Sequence, residues 1–176
     1  PPFEGFRELA TNGIDKPVLN AFRMFGLLGS ERLRATSSAA LATNEVLRAG
    51  VRKEPDVNVI ASRKEHELEA LIWNYHDDDI SAPGAEIDLN VDGLPSEATR
   101  GVVEHFRMDS SHSNAFAAWK EMGSPPSLSA VQYEQLQKEG QLQLLTSPQS
   151  VPIQKGSLHL HFSLPRQAMS LVRLRW

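Results

Sequence analysis

At Gly29 the hydrophobic period of this chain changes, and that change limits the folds open to it. Before it, Val18, Phe22, Phe25 and Leu28 recur three and four residues apart, drawing one apolar stripe along a helix predicted over residues 16–28. Asp15 stands where an N-cap belongs, Pro17 suits the first turn, and Gly29 closes the pattern. The preceding segment, Pro1-Pro2-Phe3-Glu4-Gly5-Phe6, is punctuated by proline and glycine and reads as an ordered loop. After Gly29 the pattern mostly alternates. Residues 86–91 and 158–162 alternate polar and apolar, as half-buried antiparallel strands do. Residues 57–62 and 68–75 are rich in β-branched, aromatic and other apolar side chains, and the polar link Arg63-Lys64-Glu65-His66 makes them a hairpin. Residues 102–106 and 168–175 add two strands, and residues 32–35 and 46–51 are expected as edge strands. Short strands closed by turns at Ser81-Ala82-Pro83-Gly84 and Asp92-Gly93 imply a mainly β fold, an antiparallel β-sandwich.

Between Asp109 and Gly140 the alternation lapses into two short helices, residues 114–121 and 129–139, inserted in the sandwich. Ser127 or Ser129 would cap the second, and Gly140 would end it. Insertions of this length often pack on a neighbouring domain or cover an opening. A chain of 176 residues with 40% hydrophobic content supports a real core. With 18 basic and 22 acidic residues and no basic block, it lacks the positive footprint that nucleic acid requires. No apolar run is long enough to span a membrane. Cysteine is absent, which removes thiolate metal sites and disulfides but leaves the compartment unread.

Several residue sets have the ingredients of chemistry. Phe3, Glu4 and Phe6 sit in the opening loop, where a substrate contact competes with simple packing against the helix. Glu45, Glu54, Glu65, Glu67, Glu69, Glu97 and Glu104 offer carboxylates, but on strands, turns or loops with nothing to oppose them across a bond. His159 and His161 share one strand face without a third ligand at a telling distance, and Asp77-Asp78-Asp79 lacks the spacing of a calcium loop, so no metal or cofactor is expected. Asp109, Ser111 and His112 are the residue types of a hydrolytic triad, yet they stand too close in sequence to converge and suit helix capping better. Trp73 reads as core; Trp119 is open to core packing, docking on a neighbouring domain or sugar contact; Trp176 is a third indole.

Certain runs resemble a known family. Pro2-Phe3-Glu4-Gly5-Phe6, Gly13-Ile14-Asp15-Lys16-Pro17, Asn20-Ala21-Phe22 and Leu27-Leu28-Gly29 follow the order of the passage after the eighth barrel strand in glycoside hydrolase family 39. One glycine of that family's loop is missing here, so the loop conformation can differ. The likeness continues through Leu71-Ile72-Trp73-Asn74-Tyr75, His112-Ser113-Asn114-Ala115-Phe116, Trp119-Lys120-Glu121-Met122-Gly123 and Leu164-Pro165-Arg166-Gln167, covering nearly the whole chain and favouring the bacterial β-xylosidase branch.

The resemblance implies that residues 1–28 are the C-terminal end of a (β/α)8 catalytic barrel and that residues 30–176 are its accessory β-sandwich. It implies a retaining enzyme that releases xylose from xylo-oligosaccharides, with both catalytic glutamates before Pro1 and none in this chain. The catalytic barrel is then the expected partner. Phe3 and Glu4 become the expected substrate contacts, because loops after barrel strands build the active face. A stripe with Phe22 and Phe25 left uncovered implies either that barrel or self-association into a homo-oligomer. A carbohydrate-binding sandwich is the alternative, needing two aromatics on one open sheet face where alternation turns most of them inward; an α-L-iduronide is the alternative substrate.

Overall fold

The computed structural model describes residues 2–5 and 8–176, so Phe6 lies outside the described residues. A short hairpin, β1 (Ala10–Thr11) and β2 (Ile14–Asp15), leads into helix α1 (Pro17–Gly26). Its turn is Asn12-Gly13, both with positive φ, of 52° and 75°. Pro17 opens α1 as expected, but Asp15 is not its cap. Asp15 pairs with Ala10 in the hairpin and its carboxylate binds Arg23 at 2.7 Å, which leaves Lys16 at the N-cap position with no side-chain cap.

Then come β3 (Glu31–Leu33), helix α2 (Thr43–Ala49), β4 (Asp56–Lys64), β5 (Glu67–Tyr75), β6 (Ala85–Asp92) and β7 (Arg100–Met108). Helix α2 corrects the expected strand at residues 46–51: the segment has helical propensity in Leu47, Arg48 and Ala49 and no sheet partner to override it. The inserted helices are α3 (Ala115–Glu121) and α4 (Ala130–Glu139). Asn114 caps α3 through Ala117 N–H, and Ser129 caps α4 in a reciprocal box with Gln132. Short β8 (Gln143–Leu144) and β9 (Gln149–Pro152) precede the long strands β10 (Ser157–Leu164) and β11 (Ala168–Arg175).

Every strand pair is antiparallel. One layer runs β3-β4-β5-β11-β7, with β8 and β9 both on β7; among the described residues the other holds β6 and β10, paired from Ser157 opposite Asp92 to Leu164 opposite Ala85. Alternation in β5 and β11 explains the layering. Ala70, Ile72, Val172 and Leu174 turn toward the small sheet and meet Leu158, Leu164 and Val91, while Leu71 and Leu171 turn the other way and meet Met24 of α1. Both faces of the central strands are therefore buried, one by a sheet and one by a helix.

Helix α1 sits on the large sheet through Asn20 and Met24, both fully buried, with Leu27 packed beside them. The Asn20 amide donates to Ser113 C=O at 2.9 Å and to Gly140 C=O at 2.8 Å, tying the helix to both ends of the insertion. Gly29 lets the chain turn from helix to β3 against the sheet, because a Cβ there would lie 2.3 Å from the Arg63 carbonyl oxygen. Two stability changes follow. Asn20→Leu strands two buried carbonyls and lowers unfolding free energy by about 2 to 4 kcal/mol in urea titration. Gly29→Ala forces the strand from the helix and costs at least about 2 kcal/mol in the same measurement.

Candidate functional site

The most developed concavity near the expected substrate residues lies at the N-terminal end of α1. A groove of about 560 Å³ is lined by Phe3, Glu4, Gly5, Lys16, Val18 and Phe116. The Phe3 ring stands edge-on to Phe116 at 5.4 Å and tilted to Trp119 at 5.5 Å, so α3 holds it in place. Lys16 reaches back with its ammonium to the carbonyls of Glu4 and Gly5, and Thr11 Oγ1 donates to the Glu4 carbonyl at 2.9 Å. These bonds tie Glu4 and Gly5 to the hairpin and to the start of α1. Phe3 and Glu4 are thus brought together on one groove wall, with Glu4 exposed.

From Val18 the apolar surface continues along α1. Val18, Phe22 and Phe25 are 45%, 58% and 47% exposed, while the opposite face of the same helix is sealed to the sheet. From Val18 to Phe25 this stripe rises about 10 Å along the helix. It ends in a second hollow of about 330 Å³ between Phe25, Ile60, Trp73, Tyr75, Met108 and Met169. Trp73 and Tyr75 are two apart in β5 and both face outward here, which corrects the placing of Trp73 in the core. Their spacing was the available signal, hidden by the apolar residues on both sides. The Trp73 indole N–H already donates to Asp56 at 2.9 Å.

The remaining candidates have local duties. Asp109 accepts from Ser111 N–H at 2.8 Å, faces His112 Nδ1 at 2.9 Å and approaches Arg107 at 3.3 Å, shaping the turn into α3. Burial disfavours its charge, but these donors outweigh it and hold its carboxyl below the usual range. Buried Arg107 also donates to Ser170 Oγ and to the Ser163 carbonyl, both at 2.9 Å, joining the two sheets. Glu69 is buried and accepts from Ser62 Oγ at 2.8 Å and Gly29 N–H at 3.0 Å. Glu67 and Glu104 flank Arg173 at 3.0 and 3.4 Å. Glu45, Glu54, Glu65 and Glu97 lie at the surface.

His159 and His161 do share a face, where both approach one oxygen of Asp88, at 3.1 and 2.9 Å, and His161 also nears Glu86 at 3.3 Å. Among the described residues no group of three or more histidine and acidic side chains is arranged to hold a metal ion. Asp77 accepts from Val51 N–H and pairs with Arg52. Trp119 packs in a small core with Ile14, Ala115 and Leu136, its indole N–H on the Pro125 carbonyl. Trp176 follows β11 and stacks edge-on to His66.

The family model for glycosyl hydrolases family 39 matches residues 2–154 of this chain. The chain belongs to that family. A β-xylosidase from Caldicellulosiruptor saccharolyticus is 29% identical over 80% of the chain, which spans 26% of that protein. Two solved structures share its shape. The family 39 enzyme from Xanthomonas axonopodis pv. citri superposes with a TM-score of 0.78 at 14% identity, over 99% of this chain and 33% of that one. A bacterial orthologue of the human α-L-iduronidase gives 0.73 at 18% identity, over 92% and 27%. The chain therefore spans about a quarter to a third of the length of these relatives, and the mainly antiparallel β architecture expected from its sequence is the one it has.

Burial also sets an acid response. His105, packed against Phe162 and bonded to Ser170, has its pKa lowered by burial and by Arg107 to about 4. The unfolded chain binds this proton near pH 6.5 and the folded one only near 4, so stability falls as pH drops through that window. The loss is about 3 kcal/mol by pH 4, and chemical denaturation of His105→Gln across pH 4 to 7 shows a flatter slope. His161 acts in the opposite sense, its pKa raised by Asp88 and Glu86, but on an exposed surface.

Proposed function

We propose that these residues are the accessory sandwich of a retaining glycoside hydrolase, resembling β-xylosidases that release xylose from xylo-oligosaccharides, and that the sandwich buttresses a catalytic barrel supplied by the rest of the protein. The observation that carries this reading is the outward stripe of α1. A helix sealed on one face and showing Val18, Phe22 and Phe25 on the other presents apolar surface that water leaves unsatisfied and a neighbouring domain would cover. The stripe links two hollows into one apolar face, which suits a broad docking partner better than a second small ligand.

Glycoside cleavage needs two opposed carboxyls, roughly 5 to 5.5 Å apart in retaining enzymes. The buried acids of this chain are committed to structure: Glu69 to Gly29 and Ser62, Asp109 to the turn before α3. The catalytic pair would then belong to the barrel. Phe3 and Glu4, on the groove at the head of the stripe, would stand at the seam and touch the sugar from its rim. A xyloside is the favoured substrate, since the sequence relative is a β-xylosidase whereas the iduronidase likeness is one of shape. The carbohydrate-module alternative gains Trp73 and Tyr75 on an open face, but their hollow has almost no polar lining and the indole N–H is already used.

Assays separate these readings. The chain alone gives no turnover of an aryl β-xyloside and no retention on xylan, whereas the intact polypeptide cleaves the xyloside in preference to an aryl α-L-iduronide; turnover by the chain alone overturns the reading. Phe22→Asp shifts the stability of the isolated chain by no more than about 0.5 kcal/mol, because Phe22 is already more than half exposed. In the intact protein the same change lowers the melting temperature and the specific activity, read by calorimetry and by the xyloside assay. A homo-oligomer covering the stripe instead would appear as a dimer of the intact protein that Phe22→Asp dissociates.

A further inference from the structure

We propose that Lys16 is a positioning residue of the groove at the head of α1: by holding the backbone carbonyls of Glu4 and Gly5 it sets the pose in which Glu4 meets the sugar. The inference rests on the reading that this groove wall touches the substrate of a glycoside hydrolase. It starts from an unequal anchoring of the two wall residues. Phe3 is wedged by its ring against Phe116 and Trp119. Glu4 is exposed, and the next residue, Gly5, has a φ of 66° and no side chain to pack. The backbone at Glu4 is held from a distance: the Lys16 ammonium donates to the carbonyls of both Glu4 and Gly5, and Thr11 Oγ1 donates to the Glu4 carbonyl at 2.9 Å.

Consecutive carbonyls of an extended chain point to opposite sides, so one ammonium reaches both only where the backbone curls between them. The left-handed conformation of Gly5 supplies that curl, and a side chain at this position would bring its Cβ to 2.5 Å from the Glu8 carboxyl carbon. Lysine fits the task, because its compact ammonium carries three donors on a long stem. Its base is itself fixed. The Lys16 N–H donates to the Leu9 carbonyl at 2.9 Å, and Pro17 after it confines Lys16 to the extended backbone it adopts, with φ −83° and ψ 153°. Both ammonium bonds lie at the surface, so without them water satisfies the two carbonyls and the fold keeps its stability. What is lost is the single pose of the loop. Lys16 therefore acts on binding, through Glu4, and not on the chemical step.

Steady-state kinetics of the intact polypeptide on an aryl β-xyloside test the assignment. Glu4→Ala and Lys16→Met are each expected to raise KM at least about fivefold with kcat held within about twofold, the pattern of lost binding that substrate and transition state share. Lys16→Met is expected to move the melting temperature by no more than about 2 °C, since its bonds are exposed. Added to Glu4→Ala, Lys16→Met is expected to change KM by less than about twofold, because the contact it positions is already gone. Additive effects on KM overturn the positioning role, as does a Lys16→Met enzyme with unchanged KM beside a Glu4→Ala enzyme with raised KM. A lower melting temperature without a change in KM assigns Lys16 to the fold and overturns the role as well. Glu4→Ala with an unchanged KM sinks the substrate wall and this inference with it, whereas absence of xyloside turnover by the unaltered polypeptide sinks the hydrolase reading itself.

Discussion

A single buried amide decides how this molecule meets its surroundings. Asn20 lies under α1 with both donors given to backbone carbonyls, one at each end of the helical insertion. Rotating the helix to bury Phe22 and Phe25 would strand those carbonyls and expose Met24, so polar satisfaction outweighs the burial of two aromatic rings. The consequence is an apolar stripe held outward on a rigid support. Arg23 of the same helix reinforces the pose by binding Asp15 and the Asn20 side-chain oxygen.

The same logic runs through the sandwich. Arg107 crosses between layers to the Ser163 carbonyl, and Glu69 takes the Gly29 amide where helix becomes strand. Buried ionic groups seldom add net stability, yet each is costly to leave unpaired, so they penalise alternative packings. The two buried acids, Glu69 and Asp109, both serve as hydrogen-bond acceptors for nearby backbone amides. What this chain presents at its surface is an apolar stripe and a groove at the head of it.

Much of the fold was legible because period two and period 3.6 leave separate traces. Residues 168–175 were expected as a strand and form β11, the hairpin over Arg63 to His66 forms as read, and Ser129 with Gly140 bounds α4. Residues 46–51 misled because Val46, Leu47 and Val51 fit an edge strand as well as a short helix, and only a sheet partner would decide between them. Asp15 misled because a side chain with capping chemistry was claimed by Arg23, about two turns further along. The candidate site was legible only in part: Phe3 and Glu4 share a groove, but Phe116 and Lys16 join them through contacts spanning many residues of sequence.

The sequence by itself determined the helix, the strands and the family, because local spacing and ordered runs of motif residues need no partner to be read. The tertiary structure decided which face of each element looks outward. Val18, Phe22 and Phe25 form a stripe in any helix, but its exposure depends on Asn20 finding carbonyls more than ninety residues away. Trp73 and Tyr75 share one face in any strand, but which side of β5 a helix covers only in part is set by packing. Periodicity is a property of neighbours along the chain, whereas burial belongs to the whole assembly of layers.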